Sequence, residues 1–390
     1  MLLQLGRQHL NLTNKSLNYL NISNKSSYSF SMTNLTGFKY FSSTTTVNNK
    51  KNLQTKLYNE VIKFKEASPE FISKSKTRQL FNQAFINYEN ELDPKLKTIN
   101  PDFKATFILN NFFNISNKWN IPINDLLKFN LIYLLTSISE QIDILYRNNT
   151  LPIIIGVQGH QGSGKSTVTS LLKTIINLMY DYNVGCISID DLYLTYNELE
   201  KLKREDPRYK YRGPPGTHDV VLSKQILNYV KERRTGYEIP VYDKTLYNGK
   251  GDRKEHGIKQ NKPIDILIYE GWFLGSDSVT EEELMKFPNK DHEFLSKINN
   301  NLKSYESLWN LLDMFIVLRP EKYEYSKMWR IEAEEKMIKE TGKGLTSQQI
   351  NEFVDYFWDT VPPYLYFENI EKKRKPFLTL NMDKTRTINY

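Results

Sequence analysis

The stretch that most constrains this chain is Gly159-His160-Gln161-Gly162-Ser163-Gly164-Lys165-Ser166, which meets the pattern G-x-x-x-x-G-K-[ST] in full. Its surroundings give the pattern meaning. The apolar run from Leu151 to Val157 ahead of it reads as a buried strand. Behind it, Val168, Leu171, Leu172, Ile175, Ile176 and Met179 recur at helical spacing, which predicts an amphipathic helix. A glycine-rich turn between a strand and a helix can aim successive backbone N–H groups at phosphate oxygens, and the helix N-terminus adds partial positive charge. The expected phosphate contacts are therefore Gly159, His160, Gln161, Gly162, Ser163, Gly164, Lys165, Ser166 and Thr167. In this pattern Lys165 reaches the β- and γ-phosphates of ATP, and the Ser166 hydroxyl joins the shell of a Mg²⁺ ion.

The alternation of strand and helix continues down the chain. Val184 to Ile189, Ile264 to Tyr269, Met314 to Leu318 and Phe377 to Leu380 are further apolar runs, and helical stretches such as Asp291 to Leu312 and Pro320 to Lys339 separate them. Short apolar runs of this kind are strands buried on both faces of a parallel sheet. The expected fold is α/β, a doubly wound parallel sheet of the P-loop type, over residues 149–390. Residues 53–148 carry aromatic and aliphatic side chains at spacings of three and four, for example Leu127, Ile132, Leu135 and Ile138, which predicts an added N-terminal helical layer. Residues 1–52 are rich in Asn, Ser and Thr, show no sustained period, and are expected to lie outside the fold.

Charge narrows the classes further. Seven of the eight net positive charges come from Arg7, Lys15, Lys25, Lys39, Lys50, Lys51 and Lys56, all ahead of the first acid, Glu60; the rest of the chain nets only +1. The body is therefore no basic nucleic-acid binder. The acid-free, Ser-rich, basic leader has the composition of a mitochondrial transit peptide; a disordered tail that targets nothing, in a cytoplasmic protein, is the alternative. No apolar run approaches the roughly 20 residues of a membrane span, so no membrane partner is expected. The one cysteine, Cys186, can form no intramolecular disulfide and reads as a small core residue of a protein in a reducing compartment.

Which P-loop chemistry the chain performs follows partly by exclusion. A guanine-reading Asn-Lys-x-Asp segment and the glycine-rich signature of ABC-type ATPases are both missing from the sequence, which leaves a kinase of small molecules. In open α/β sheets the ligand lies beyond the carboxyl ends of the strands. Asp190 and Asp191 follow the second apolar run, where one of them is a natural base for a substrate hydroxyl; capping a helix is the structural alternative. Glu270 ends the third run and suits Mg²⁺ or its water, or else caps a loop, while Trp272 and Phe273 read as packing residues. Between these runs, loops punctuated by Gly and Pro carry Tyr193, Arg212, His218, Asp219, Tyr242, Lys244 and Arg253, a set that would make a cationic pocket for an anionic or polyhydroxy acceptor together with Asp191.

These loops resemble a known family. GSGKS (162–166), SIDDLYLT (188–195), RGPPGTHD (212–219), PVYDKT (240–245), GKGDR (249–253), YEGWFLG (269–275) and WRIEAE (329–334) follow one another as in the D-glycerate 3-kinases of plants and their fungal P-loop kinase relatives, within the wider uridine kinase, pantothenate kinase and phosphoribulokinase group. The resemblance covers residues 151–390. It implies Asp190 as the base, Glu270 as the Mg²⁺-associated acid, and Arg330 as a lid arginine that meets the transferred phosphoryl group. An i,i+4 pair with Glu334 is the structural alternative for Arg330. It further implies a small hydroxy-acid acceptor, D-glycerate phosphorylated at its 3-hydroxyl, in a monomer or homodimer. A kinase of a nucleoside or sugar acid, or a non-catalytic ATP-binding regulator, are the competing readings.

Overall fold

The computed structural model describes residues 55, 57–59, 62, 85, 100–118, 125–341 and 345–389. The acid-free segment 1–52 lies outside the described residues, as does most of 53–99. After scattered helical positions at 55, 57–59, 62 and 85, the first helices with described bounds are α1 (Pro101–Lys118) and α2 (Asp125–Asn148). Strand β1 (Ile153–Gly159) follows and runs through the loop at 160–164 into α3 (Lys165–Met179). Next come β2 (Val184–Ser188), a single 3-10 turn (Ile189–Leu192), α4 (Tyr196–Glu205) and α5 (Val220–Lys231). Four short strands, β3 (Tyr237–Ile239), β4 (Tyr242–Asp243), β5 (Asp252–Arg253) and β6 (Ile258–Gln260), form two small antiparallel pairs, β3 with β6 and β4 with β5. The remainder comprises β7 (Ile266–Gly271), α6 (Glu281–Lys286), α7 (His292–Trp309), β8 (Met314–Pro320), α8 (Tyr325–Thr341), α9 (Ser347–Thr360), the short helices α10 (Pro363–Tyr366) and α11 (Glu368–Arg374), β9 (Leu378–Met382) and β10 (Ile388–Asn389).

The large sheet has six strands in the order β10-β9-β8-β1-β7-β2, parallel except for the edge strand β10. Every residue of β1 is buried, which is why its sequence reads as an unbroken apolar run. Two apolar cores flank the sheet. One joins α1, α2 and α3 to one face; the other joins α5, α7 and α9 to the opposite face. Along α3 the buried set Val168, Leu171, Leu172, Ile175 and Ile176 is the stripe read from the sequence, and each such side chain stabilises by about 1.5–3 kcal/mol when removed from water. The expected doubly wound α/β fold is the one observed. The small β3/β6 and β4/β5 hairpins are additions that the apolar runs did not signal, because their strands are too short and too exposed to carry one. No helix among the described residues is long and apolar enough to cross a membrane.

Candidate active site

Since β1, β2, β7 and β8 are parallel, their carboxyl ends open on the same edge of the sheet, and a cleft of about 830 Å³ lies there. The loop after β1 forms its floor. Gly162 and Gly164 adopt φ of 74° and 87°, backbone that side chains bearing a Cβ rarely adopt. A Cβ on Gly162 would also lie 2.6 Å from Cβ of Trp329, so α8 and the loop are packed backbone against side chain. Lys165 sits partly buried at the start of α3, and its Nζ donates to the His160 carbonyl at 3.1 Å. Burial draws the Lys165 ammonium down from its usual range, against the acid charges of Glu270 and Asp190. Ser166 Oγ donates to Glu270 Oε1 at 3.0 Å, which brings two hard oxygen donors together at the cleft floor.

The acids after β2 divide sharply in role. Asp191 serves the backbone: the Ser188 N–H donates to its Oδ2 at 3.0 Å and the Tyr242 N–H to its Oδ1 at 3.2 Å, completing a capping box. Burial raises the Asp191 pKa despite those bonds. Asp190 instead faces the cleft, where Lys244 Nζ lies 2.7 Å from its Oδ2 and the Tyr193 hydroxyl donates to its Oδ1 at 2.8 Å. Burial pushes the Asp190 carboxyl up, but the Lys244 charge and these hydrogen bonds outweigh it, so its pKa lies below the ordinary carboxylate value.

Of the residues expected from the sequence to contact ligand, Gln161, Gly162, Lys165, Ser166, Asp190, Tyr193, Arg212, Lys244, Glu270 and Arg330 line the cleft. Gly159, Ser163, Gly164 and Thr167 form the turn and first helical residues that carry them. His160 belongs to the loop through its backbone, while its side chain is committed elsewhere. Its ring is buried between Tyr323 and Phe367, with centroids 5.0 and 4.8 Å away, and burial pushes its pKa down to about 3, so only its backbone faces the loop.

The acceptor-loop residues divide between the cleft surface and the layer behind it. Asp191, His218, Asp219, Tyr242 and Arg253 do not line the cleft; they form the wall behind Tyr193. His218 stacks on the Tyr193 ring at 4.7 Å and meets the Tyr305 hydroxyl through Nδ1 at 2.9 Å. Tyr242 lies edge-on to the same ring at 5.0 Å. Arg253 donates from Nε to the Tyr193 carbonyl at 2.8 Å and from Nη2 to Asp219 at 3.0 Å, while Asp219 caps α5 through the Leu222 N–H. His218, Tyr242 and Arg253 thus hold in place Tyr193, which faces the cleft, while Asp219 anchors Arg253 and Asp191 anchors the backbone of Ser188 and Tyr242.

Arg212 is the contrasting case. Its Nη1 donates to the Lys250 and Gly249 carbonyls at 2.7 and 3.2 Å, and among the described residues it has no carboxylate partner. Arg330 pairs with the buried Glu334 at 2.8 Å, the i,i+4 contact expected of it, and also lines the cleft. Sequence reasoning missed the aromatic side of the cleft, where Tyr211, Phe353 and Phe357 pack on one another and on Trp272. Trp272 both packs and lines the cleft, its indole N–H donating to the Gly213 carbonyl at 3.3 Å. The sole hint of that wall was the i,i+4 pair Phe353 and Phe357 on α9, indistinguishable in sequence from ordinary core.

The donors present fit Mg·ATP. The glycine turn leaves open space above Gly164, where a Cβ would meet nothing within 4 Å. The buried Ser163 Oγ and Gln161 Oε1 have no hydrogen-bond partner among the described residues, and Ser166 with Glu270 supplies oxygen ligands of the kind Mg²⁺ prefers. Residues 154–288 match the model of the phosphoribulokinase/uridine kinase family. The chain is 32% identical over 263 residues to "Probable ATP-dependent kinase TDA10" of Saccharomyces cerevisiae, covering 62% of this chain and 88% of that protein. It is 28% identical over 223 residues to the chloroplastic D-glycerate 3-kinase of Arabidopsis thaliana, covering 55% of this chain and 48% of that one. Among solved structures, a D-glycerate 3-kinase of Cryptococcus neoformans superposes with a TM-score of 0.56 at 26% identity, over 73% of this chain and 96% of that one.

Proposed function

Because this chain belongs to the phosphoribulokinase/uridine kinase family and is an ATP-dependent kinase, we propose that its acceptor is D-glycerate and its product a phosphoglycerate. The observation that carries the reading is the cations of the cleft: Lys244 contacts the candidate base Asp190 at 2.7 Å, and Arg212 opens on the same cleft without a carboxylate partner among the described residues. A hydroxy acid satisfies both needs, offering its hydroxyl to Asp190 and its carboxylate to the cations. A neutral acceptor would offer Arg212 no charged partner.

In this reading the Gly162 to Ser166 backbone and the Lys165 ammonium hold the β- and γ-phosphates, and Arg330 approaches the transferred group from α8. Ser166 and Glu270 would hold Mg²⁺, which would supply charge neutralisation at the phosphate oxygens. The bond from the acceptor hydroxyl oxygen to the γ-phosphorus forms as the bond to the β,γ-bridging oxygen breaks. The hydroxyl proton passes to Asp190 and ADP leaves. The acid-free N-terminal segment would direct import into mitochondria. A coupled assay of ADP release across D-glycerate, L-glycerate, glycerol, uridine and pantothenate tests the substrate. D-glycerate should give the highest kcat/KM, and turnover of uridine or pantothenate with none of D-glycerate would discard the reading.

A further inference from the structure

We propose that Lys244 senses the charge of the acceptor, holding Asp190 inactive until an anionic acceptor draws the ammonium away. The inference rests on the proposed reading of the cleft as the acceptor site of a hydroxy-acid kinase. It begins from an asymmetry around Asp190. Both carboxylate oxygens are engaged, Oδ1 by the Tyr193 hydroxyl at 2.8 Å and Oδ2 by Lys244 Nζ at 2.7 Å. The two partners differ in freedom. Tyr193 is fixed by the stack on His218, by the edge of Tyr242 and by the Arg253 bond to its carbonyl. Lys244 follows the two-residue strand β4, and its side chain is 58% exposed while that of Asp190 is 30% exposed. Tyr193 is therefore a permanent orienter and Lys244 a partner that can leave.

A ligand shifts such an equilibrium only through an interaction it makes in one state and not in the other. An acceptor carboxylate provides that difference, because it offers the Lys244 ammonium a partner as good as the one it gives up. Oδ2 then becomes free for the acceptor hydroxyl, and Arg212 adds a second cation for the same carboxylate. Water, or an uncharged alcohol, gives Lys244 nothing, so Asp190 stays paired and its basicity stays low. Lys244 is on this account a specificity-determining residue twice over: it favours anionic acceptors, and it restrains the hydrolysis of ATP when no acceptor is present. The second effect works against unwanted acceptors, the usual complement of an attractive contact.

The test uses Lys244→Met, which keeps the length and loses the charge, and Lys244→Arg, which keeps the charge. Acceptor-free ATP hydrolysis, and kcat/KM for D-glycerate and for glycerol, are measured on each. Lys244→Met should raise acceptor-free hydrolysis about 10-fold, a fraction of the 10² to 10⁴ that a general base supplies. It should lower kcat/KM for D-glycerate by about 10- to 100-fold, mainly through KM, as expected for loss of one charge-assisted hydrogen bond, while glycerol turnover holds or rises. Lys244→Arg should recover most of the discrimination. Hydrolysis that stays at the wild-type rate in Lys244→Met, or an equal fall for both acceptors, overturns the proposal. If the wild type ignores D-glycerate, the substrate reading fails separately, and the hydrolysis arm, which contains no acceptor, still decides the role of Lys244.

Discussion

Replacing Asp190 by asparagine separates chemistry from architecture because its neighbour Asp191 does the capping. Asparagine keeps the shape of Asp190, and a turned amide can still present oxygen to Lys244 and an N–H toward the Tyr193 hydroxyl. What disappears is an ion pair with side chains 58% and 30% exposed, a solvent-screened contact worth at most about 1 kcal/mol. What disappears chemically is larger. Without a carboxylate to take the hydroxyl proton, kcat should fall by about 10²- to 10⁴-fold, or roughly 2.7–5.4 kcal/mol of barrier at 1.36 kcal/mol per decade. The stability loss is too small to imitate that. Asp191→Asn is the reciprocal control. It removes a carboxylate that accepts two backbone N–H bonds, so it should cost about 1–2 kcal/mol of stability while leaving kcat near wild type. The assay is kcat by coupled ADP release, with ATP affinity by calorimetry and unfolding by denaturant on the same preparations. An Asp190→Asn enzyme within about 10-fold of wild-type kcat, or a larger kcat loss in Asp191→Asn, would refute the assignment of base.

Lys165→Ala should abolish turnover and weaken ATP binding in calorimetry, since the cation at the floor of the glycine turn is gone; near-normal activity would remove the phosphate site itself. Glu270→Gln should raise the Mg²⁺ concentration for half-maximal activity at least about 10-fold, and an unchanged Mg²⁺ dependence would leave Glu270 only its bond to Ser166. Burial holds both His160 and His218 down to about 3, from an unfolded value of 6.5. The unfolded chain therefore takes up protons that the folded one refuses. Stability should be full above about pH 6.5 and fall toward pH 3, by up to about 1.4 kcal/mol per unit per histidine. Urea unfolding at pH 7, 6 and 5 reads the slope, which His218→Gln should flatten. Residues 1–52 fused to a fluorescent reporter should carry it into mitochondria, and a reporter left in the cytosol would sink the targeting proposal.

The parallel sheet was readable because its strands are buried on both faces. Ile153, Ile154 and Ile155 have no polar face to alternate with, so β1 shows as a plain apolar run, as do β7 and β8. Boundaries drifted where polar chemistry takes over. The apolar run stops at Tyr269, yet the strand continues through Glu270 and Gly271, because the functional end of a strand is polar by need and still hydrogen-bonded in the ladder. The small hairpins β3/β6 and β4/β5 lacked any such signal: Ile258 and Lys259 are exposed, and β4 and β5 have two residues each. Their placement comes from pairing and from side chains such as Arg253, contacts made across the fold that local sequence cannot encode.

The site was legible down to the segment and not down to the residue, and backbone geometry explains the difference. Neighbouring side chains alternate along a strand and diverge round a 3-10 turn, so a motif that builds a site holds the contacting residue and its support side by side. Asp190 faces the cleft and Asp191 turns back to cap Ser188; Lys244 reaches Asp190 while Asp243 binds the Thr245 N–H. Arg212 opens on the cleft, whereas Gly213 lies so close to Phe357 that a Cβ would sit 2.4 Å from its ring. Chemistry alone cannot sort such pairs, since Arg253 and Arg212 are equally suited to a carboxylate and only one is already committed to Asp219. The sorting variable is prior engagement. A charged residue whose partner is a buried cap or a backbone carbonyl deep in the wall is spent on the fold, and one whose partner is solvent-exposed remains available to a ligand. By that measure Lys244 and Arg212 are available cations of the acceptor side, and Lys244 is the one whose present partner is the candidate base.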